Sequence, residues 1–134
     1  MSVIVTDAGF APAPIRATVA LADLTDQTTL DLTNTDDPSL LEGRLDRLTL
    51  IRVAFPAFND GRSFTIARRL RMMGYKGQLL ALGPVIADQY AMLRRVGFDG
   101  AEIPDEIAAR QPAPQWHYRA ADWDRHHYQA KLRA

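Results

Sequence analysis

The sequence predicts a single α/β domain with a small parallel β-α-β-α-β core. Three observations support this fold class: an apolar, β-branched run at residues 48–55, two shorter apolar runs at 78–83 and 100–103, and helical patterns between them. The chain has 134 residues, of which 47% are hydrophobic and 24% charged. This composition suffices for one compact domain and is too little for two. We therefore expect one domain over residues 1–134.

Residues 1–47 predict additional N-terminal strands before the core. Prolines and turn residues separate short apolar runs, and these candidate strands lie at residues 3–5, 17–21 and 30–32. A short helix is expected over 38–45, because Asp37 can cap its start and Pro38 suits the first helical position. This part of the chain therefore extends the sheet before the regular alternation begins.

The core itself occupies residues 48–104. After its first strand, the spacing predicts a helix over 62–73 with Ile66, Leu70 and Met73 on one apolar face. Gly74 then ends this helix, and the strand at 78–83 follows. Because strands joined by helical crossovers run parallel, we expect right-handed crossovers here.

The second crossover helix is expected to begin at Pro84 and to end at Gly97. Its apolar face would then consist of Val85, Gln89, Met92 and Val96. In open parallel sheets, ligands bind beyond the carboxyl ends of the strands. The segments that leave those ends are residues 55–62, 83–85 and 103–106.

Residues 105–134 predict a C-terminal arm with aromatic anchors. Trp116 and Trp123 are expected to pack on the domain or on a partner, because large aromatic side chains dominate such contacts. All histidines of the chain lie in this arm, at His117, His126 and His127. Their spacing fits no zinc pattern, so we expect no metal site.

Composition excludes several function classes. Sixteen basic residues balance sixteen acidic ones, which argues against binding nucleic acid or a membrane through overall charge. No cysteine is present, so the chain cannot hold an iron–sulfur cluster on its own thiolates. The sequence shows neither a signal peptide nor a membrane-spanning run, which favours a cytoplasmic protein. Phosphate-loop, dinucleotide and hydrolase motifs are absent, so we expect no cofactor.

The most promising segment lies where the first core strand ends and the first helix starts. Free backbone N–H groups at that helix start, with Arg62 as a bidentate donor, would suit phosphate, sulfate, sulfite or a carboxylate. In the alternative, Asp60 or Ser63 caps the helix, Gly61 permits the turn and Arg62 pairs with an acid. Both interpretations remain open from the residues alone.

Several polar residues could join this edge. Asp88 and Gln89 are candidate secondary ligand contacts, although a hydrogen bond from Gln89 to neighbouring backbone would also satisfy a polar residue on an apolar face. Glu102 and Asp105, near the third strand end, could balance the charge of Arg62. We expect the aromatic side chain of Phe58 to be exposed, and it is a candidate partner contact.

The core resembles the bacterial domain-of-unknown-function family numbered nine hundred and thirty-four. The resemblance covers residues 50–103. The matching motifs are Phe55-Pro56-x-Phe58-x-Asp60-Gly61-Arg62, Ala67-Arg68-x-Leu70-Arg71, Gly74-Tyr75-x-Gly77-x-Leu79, Asp88-Gln89 and Arg94-x-x-Gly97-Phe98-Asp99. Two positions depart from the family pattern, since Ser63 replaces a glycine and Pro84 replaces an aspartate.

The resemblance implies a link to assimilatory sulfite reduction, because members of the family are labelled as oxidoreductases of that process. We expect an accessory protein that docks on sulfite reductase or a neighbouring sulfate-assimilation enzyme, using the 55–62 edge or the aromatic arm. The alternative is an enzyme or sensor that binds sulfite, sulfate or an adenylyl sulfate at Asp60, Gly61 and Arg62. A homodimer is a third interpretation.

Overall fold

A mixed seven-stranded sheet forms the centre of the protein, and it confirms the predicted α/β class. The computed structural model describes residues 2–14, 17–57, 60–111 and Trp116. The strands are β1 (Ser2–Thr6), β2 (Gly9–Pro12), β3 (Val19–Ala20), β4 (Thr29–Leu32), β5 (Leu50–Ala54), β6 (Gln78–Leu82) and β7 (Gly100–Pro104). Their order across the sheet is β2-β1-β7-β6-β5-β4-β3.

Within the described residues, three α-helices accompany the sheet. They are α1 (Gly61–Met72), α2 (Tyr90–Val96) and α3 (Asp105–Arg110). Short 3₁₀ turns lie at Leu21–Asp23, Pro38–Leu41, Leu45–Arg47 and Ala87–Gln89. None of the helices in these parts of the chain is long and apolar enough to cross a membrane.

Strands β3 to β7 are parallel neighbours in the order of the chain. The β1-β2 hairpin joins them at the β7 edge, where β1 pairs antiparallel with β7. Ligand crevices in doubly wound sheets form where the strand order reverses. The parallel part of this sheet has no reversal, so a crevice of that kind is not expected between its strands.

All three helices pack on one face of the sheet. Alternate residues of each strand point to this face, as expected for a period of two. Ile51, Val53 and Phe55 thus meet Ile66 and Leu70 in the main core, as do residues of α2 and β7. The apolar face predicted for the first helix is therefore confirmed at its two buried positions, while Met73 is partly buried.

The opposite face carries a smaller apolar cluster of Ile4, Leu50 and Leu80, against which Ala13 packs. Ala13 begins the connection from β2 to β3, which are the two edges of the sheet. From Pro12 to Val19 a chain reaches at most about 25 Å. Six strand spacings in a flat sheet measure about 29 Å. The sheet must therefore curl towards this face.

The N-terminal predictions are partly wrong. The sequence predicted no strand at β2, because Gly9–Pro12 contains a proline and only one large apolar residue, Phe10. The helix expected over 38–45 is instead two 3₁₀ turns, separated where Gly43 has φ +80°. Its cap is confirmed, since the backbone N–H of Ser39 donates to Asp37 over 3.0 Å.

The second crossover helix also departs from the prediction. It begins at Tyr90 rather than at Pro84, after an extended residue at Ile86 and a 3₁₀ turn. Met92 is 44% exposed, whereas Tyr90 and Leu93 are fully buried. Counting the helical period from Val85, which lies in the loop, put the predicted face out of phase.

The predicted C-terminal arm begins with a helix, because Asp105–Arg110 forms α3. Trp116 is described and buried. Trp123 and the three histidines lie outside the described residues, as does Phe58. The predictions made for those residues therefore stay predictions.

Candidate functional site

The start of α1 is organised by the carboxylate of Asp60. This residue is the N-cap, and its Oδ1 accepts a hydrogen bond from the backbone N–H of Arg62 over 2.9 Å. Its Oδ2 accepts a second bond from the side-chain amide of Asn34 over 2.8 Å. The predicted cap is therefore present. Asn34 follows β4, so this bond ties the loop after one strand to the helix after the next.

These bonds hold the pKa of Asp60 below its ordinary value. The hydrogen bond from Asn34 is the largest cause, followed by backbone N–H groups of Arg62 and Ser63 and the charge of Arg62, while partial burial acts in the opposite direction. A carboxylate with a lowered pKa stays ionised at neutral pH. It also fills the position at the helix start that an external anion would need.

The side chain of Arg62 points into solvent. It is 66% exposed, and its Nη2 lies 3.7 Å from Oδ2 of Asp60, a long and weak ion pair. Gly61 is the first residue of α1. Its φ is not positive, and a Cβ atom there would meet nothing within 4 Å. Neither residue is held by the interior, so both are available for contact.

The side chain of Ser63 lies in the interior of the protein. It is fully buried, and its hydroxyl donates to the backbone carbonyl of Ala54 over 2.7 Å. Because Ala54 ends β5, this bond fastens the first turn of α1 to the strand that precedes it. Ser63 was a candidate ligand contact, and its burial removes its side chain from the surface.

An open groove of about 640 Å³ runs beside this helix start. Its lining combines residues from the loop after β4 with residues from α1: Asn34, Asp36, Asp60, Gly61, Arg62, Thr65, Ile66 and Arg69. The sequence did not indicate that Asn34, Asp36, Thr65 and Arg69 belong to this site. The turn-rich segment after residues 30–32 indicates a loop. This loop lies beside the start of α1 only because β4 pairs in parallel with β5.

The hydrogen bonds of Asp60 predict how the stability of the fold depends on pH. Because the pKa of Asp60 is lower in the folded state than its ordinary value of 3.8, its carboxylate stabilises the fold above that pH. This stabilisation is lost as the pH falls through the folded-state value. Asparagine also caps helices but does not titrate. We expect the stability difference between wild type and Asp60→Asn to shrink on acidification, as measured by urea unfolding between about pH 3 and pH 7.

The same experiment has a direct control. Asp105→Asn removes a carboxylate from the first turn of α3, where no side-chain cap bond is formed. The stability difference between Asp105→Asn and wild type should therefore depend on pH differently from that of Asp60→Asn. A difference for Asp60→Asn that is constant over the whole range would contradict the role given to the carboxylate.

Asp88 and Gln89 do not join this groove. They belong to the 3₁₀ turn before α2, where Asp88 is exposed and Gln89 is half-buried. The turn itself is held by Gln111, whose Oε1 accepts a hydrogen bond from the backbone N–H of Ala87 over 2.5 Å. Neither of the two candidates lines the groove beside α1.

Trp116 packs inside the domain. It is 1% exposed, it meets the rings of Phe10 and Tyr90 edge-on, and its Nε1 donates to the carbonyl of Gln111 over 2.7 Å. Of the two interpretations of this residue, packing on the domain is the one seen. Its side chain is not available to a partner.

An ion-pair network lies on the sheet face opposite the helices. Arg52 donates to both carboxylate oxygens of Asp31, over 2.7 and 2.6 Å, and reaches across β6 to Glu102 over 2.9 Å. The hydrogen bond to Asp31 is the largest of the causes that raise the pKa of Arg52 above its ordinary value. Thr18 and Ser2 complete the network through Asp31 and Glu102. The expectation that Glu102 balances Arg62 is therefore wrong.

A second network fastens the far end of α1. Arg71 donates through Nε to the carbonyl of Gly97 over 2.8 Å and through Nη1 to the carbonyls of Tyr75 and Gly77, each over 2.9 Å. Its Nη2 reaches Asp99 over 3.1 Å. These residues are the ones that carry the second half of the family resemblance. They hold α1 to the starts of β6 and β7, away from the groove.

A comparison with protein families identifies what the chain is similar to. The family described as "Bacterial protein of unknown function (DUF934)" matches residues 29–134. The chain belongs to this family. The match spans the groove, the three α-helices and the strands β4 to β7, so the DUF934 region contains the candidate site. Neither the curated proteins nor the solved structures that were compared give a match.

The chemistry of this DUF934 site is that of a polar surface. Among the described residues, no group of three histidine, cysteine, aspartate or glutamate side chains could hold a metal ion. The groove offers an exposed guanidinium, a fixed carboxylate and the amide of Asn34, which form hydrogen bonds and ion pairs. Such groups are able to form hydrogen bonds and ion pairs with a charged molecule.

Proposed function

We propose that this protein is an accessory protein of assimilatory sulfite reduction that docks on sulfite reductase or a neighbouring sulfate-assimilation enzyme. The docking edge is the start of α1. The exposed guanidinium of Arg62 beside the open groove supports this proposal, because the guanidinium is presented to solvent by a helix that Asp60 and Ser63 fasten in place. Because the helix start is already fixed, binding has to order this side chain but no backbone segment.

The state of Asp60 favours docking over acid or base chemistry. A general acid or base works best with a pKa near the operating pH. The pKa of Asp60 moves in the other direction, because Asn34 and backbone N–H groups stabilise its charged form. The groove is also open to solvent, whereas reaction sites gain from excluding water.

The link to sulfite reduction rests on the family resemblance. The resemblance implies a connection with oxidoreductases of that process, and this implication gives the proposed partner. The lack of cysteine supports an accessory role, since this chain cannot ligate an iron–sulfur cluster through its own thiolates. Electrons for a six-electron reduction would then come from the partner.

The proposal is tested by binding to immobilised sulfite reductase from the same organism. Arg62→Glu should weaken binding about tenfold or more, because it places a like charge against the partner's acidic contact. Arg95→Glu on the exposed side of α2 is the matched control and should change the affinity less than about twofold. If neither sulfite reductase nor a neighbouring pathway enzyme binds the wild-type protein, the proposed function is wrong.

The alternative, an oxyanion held at the start of α1, has a separate signature. Sulfite or sulfate at 100 times its dissociation constant would stabilise the fold by about 2.7 kcal/mol. An increase in Tm that Arg62→Ala abolishes would favour this alternative. We expect no such increase, because Asp60 already accepts from the N–H groups that would bind the anion.

A further inference from the structure

The exposed face of α1 extends the candidate site along the whole helix. Arg62, Thr65, Arg68, Arg69 and Met72 are all exposed, and α1 contains no acidic residue. Arg68 makes no ion pair within the described part of the chain. Although the protein has a net charge of zero, this face is cationic with an apolar end. We call these five residues the α1 outer face.

A second groove adjoins the apolar end of this face. It measures about 530 Å³, and Met72, Met73 and Leu45 supply its apolar walls. Arg69 lines both grooves, so the two meet at that residue. Met72 is 77% exposed, which is the largest exposure among the large hydrophobic side chains described. The two grooves thus lie beside α1 from Arg62 to Met72 and share a wall at Arg69, and we call the pair the channel.

The ion pair at the junction of the two grooves is weak. Arg69 and Asp37 are both exposed, and their atoms lie 3.4 Å apart. Exposed pairs of this kind contribute little to stability and are screened by salt. An incoming carboxylate can therefore replace Asp37 as the partner of Arg69 at small cost.

The charges along the channel select the occupant. Arginines on α1 attract acidic groups, whereas Asp36 and Asp60 in the first groove and Glu42 and Asp46 in the second repel a continuous polyanion. Nucleic acid therefore fits poorly. An isolated acidic side chain with an apolar one beyond it fits well, since Arg62 and Met72 are ten residues apart, or about 15 Å along a helix. An extended chain covers that length in about five residues.

We propose that the α1 outer face and its two grooves bind an extended segment of a partner protein, with acidic residues against Arg62 and Arg69 and an apolar side chain between Met72 and Leu45. This inference rests on the proposed docking function and specifies its surface and the chemistry of its partner. The partner segment adds an apolar anchor to the charge contacts, which is the usual composition of a binding hot spot.

The test uses a matched pair of surfaces on the same protein. On α2, the exposed residues Met92 and Arg95 repeat the three-residue spacing of Met72 and Arg69 on α1. Met72→Glu and Arg69→Glu should each weaken binding to sulfite reductase about tenfold or more, and Met92→Glu and Arg95→Glu less than about twofold. Binding should also weaken as salt is raised. Equal losses on both helices would overturn the inference while leaving docking intact.

A second measurement keeps the inference testable if sulfite reductase does not bind. A photo-cross-linking p-benzoylphenylalanine is placed at Thr65 or, as a control, at Met92, and cross-linked peptides from cells are sequenced. We expect the Thr65 position to capture a protein segment with acidic residues and an apolar residue about five positions away. Capture of a second copy of this chain, of nucleic acid, or of a basic segment would overturn the inference.

Discussion

Replacing Arg52 with methionine is expected to reduce the free energy of unfolding by about 3–5 kcal/mol, the usual cost of breaking a buried ion pair from one side. The side chain of Arg52 is 15% exposed, and it is shared by two carboxylates. Without it, the carboxylates of Asp31 and Glu102 lose the guanidinium that both of them contact. The loss corresponds to a decrease in Tm of roughly 10–20 °C for a domain of this size.

Thermal and urea unfolding measure this effect, and two further variants separate charge from packing. Arg62→Met removes an exposed arginine and should change stability by less than about 0.5 kcal/mol. Arg52→Met combined with Asp31→Asn and Glu102→Gln also removes the two carboxylate charges that Arg52 contacts and should recover part of the loss. A single variant as stable as wild type would show that the network does not hold the strands together.

The network also shows why the order of the strands was hard to predict from the sequence. The run at residues 48–55 predicted β5 through its apolar, β-branched composition, and Arg52 was the one charged residue within it. Its partners lie 21 and 50 residues away in the chain. Pairing of this kind depends on strand order, which local patterns do not contain. The strand β2 was missed for a related reason, since only its pairing with β1 makes Gly9–Pro12 extended.

The candidate site was predictable where the chemistry is local. An aspartate two residues before Arg62 can cap a helix whatever the rest of the fold does, and Asp60 does so. Ser63 was placed correctly in the first turn, but its burial follows from the position of β5 beneath it. Asn34 and Asp36 reach the site only because β4 and β5 are parallel neighbours. Tertiary contacts thus decide which polar residues of a helix start remain at the surface.

The residues that carry the family resemblance divide into two groups with separate tasks. Arg71, Tyr75, Gly77 and Asp99 are joined by hydrogen bonds that fasten helices to strands. Gly61, Arg62 and Arg68 remain exposed on α1. The first group explains stability without reference to a partner. The second group has no comparable contacts within the described chain, and its two arginines belong to the α1 outer face, to which we assign docking.

This division predicts opposite results for two arginines on the same helix. Arg71→Met should destabilise the protein by about 2–4 kcal/mol, because it removes the side-chain donor of three backbone carbonyls and one of the partners of Asp99. Arg68→Met, three residues earlier, should change stability by less than about 0.5 kcal/mol. Binding to the partner should respond in the reverse order. At temperatures where both variants are folded, Arg68→Met should weaken it and Arg71→Met should not.

A lysine substitution refines the prediction for Arg71. Lysine retains the charge and most of the stem, but its single ammonium group cannot reach the carbonyls of Gly97, Tyr75 and Gly77 together, as the planar guanidinium does. Arg71→Lys should therefore recover less than about half of the stability that Arg71→Met loses. Full recovery would mean that the charge opposite Asp99, rather than the set of backbone bonds, fastens α1 to the sheet. Urea unfolding of the wild type, Arg71→Lys and Arg71→Met at one pH distinguishes these outcomes, because the midpoint of Arg71→Lys lies nearer that of Arg71→Met in the first and coincides with that of the wild type in the second.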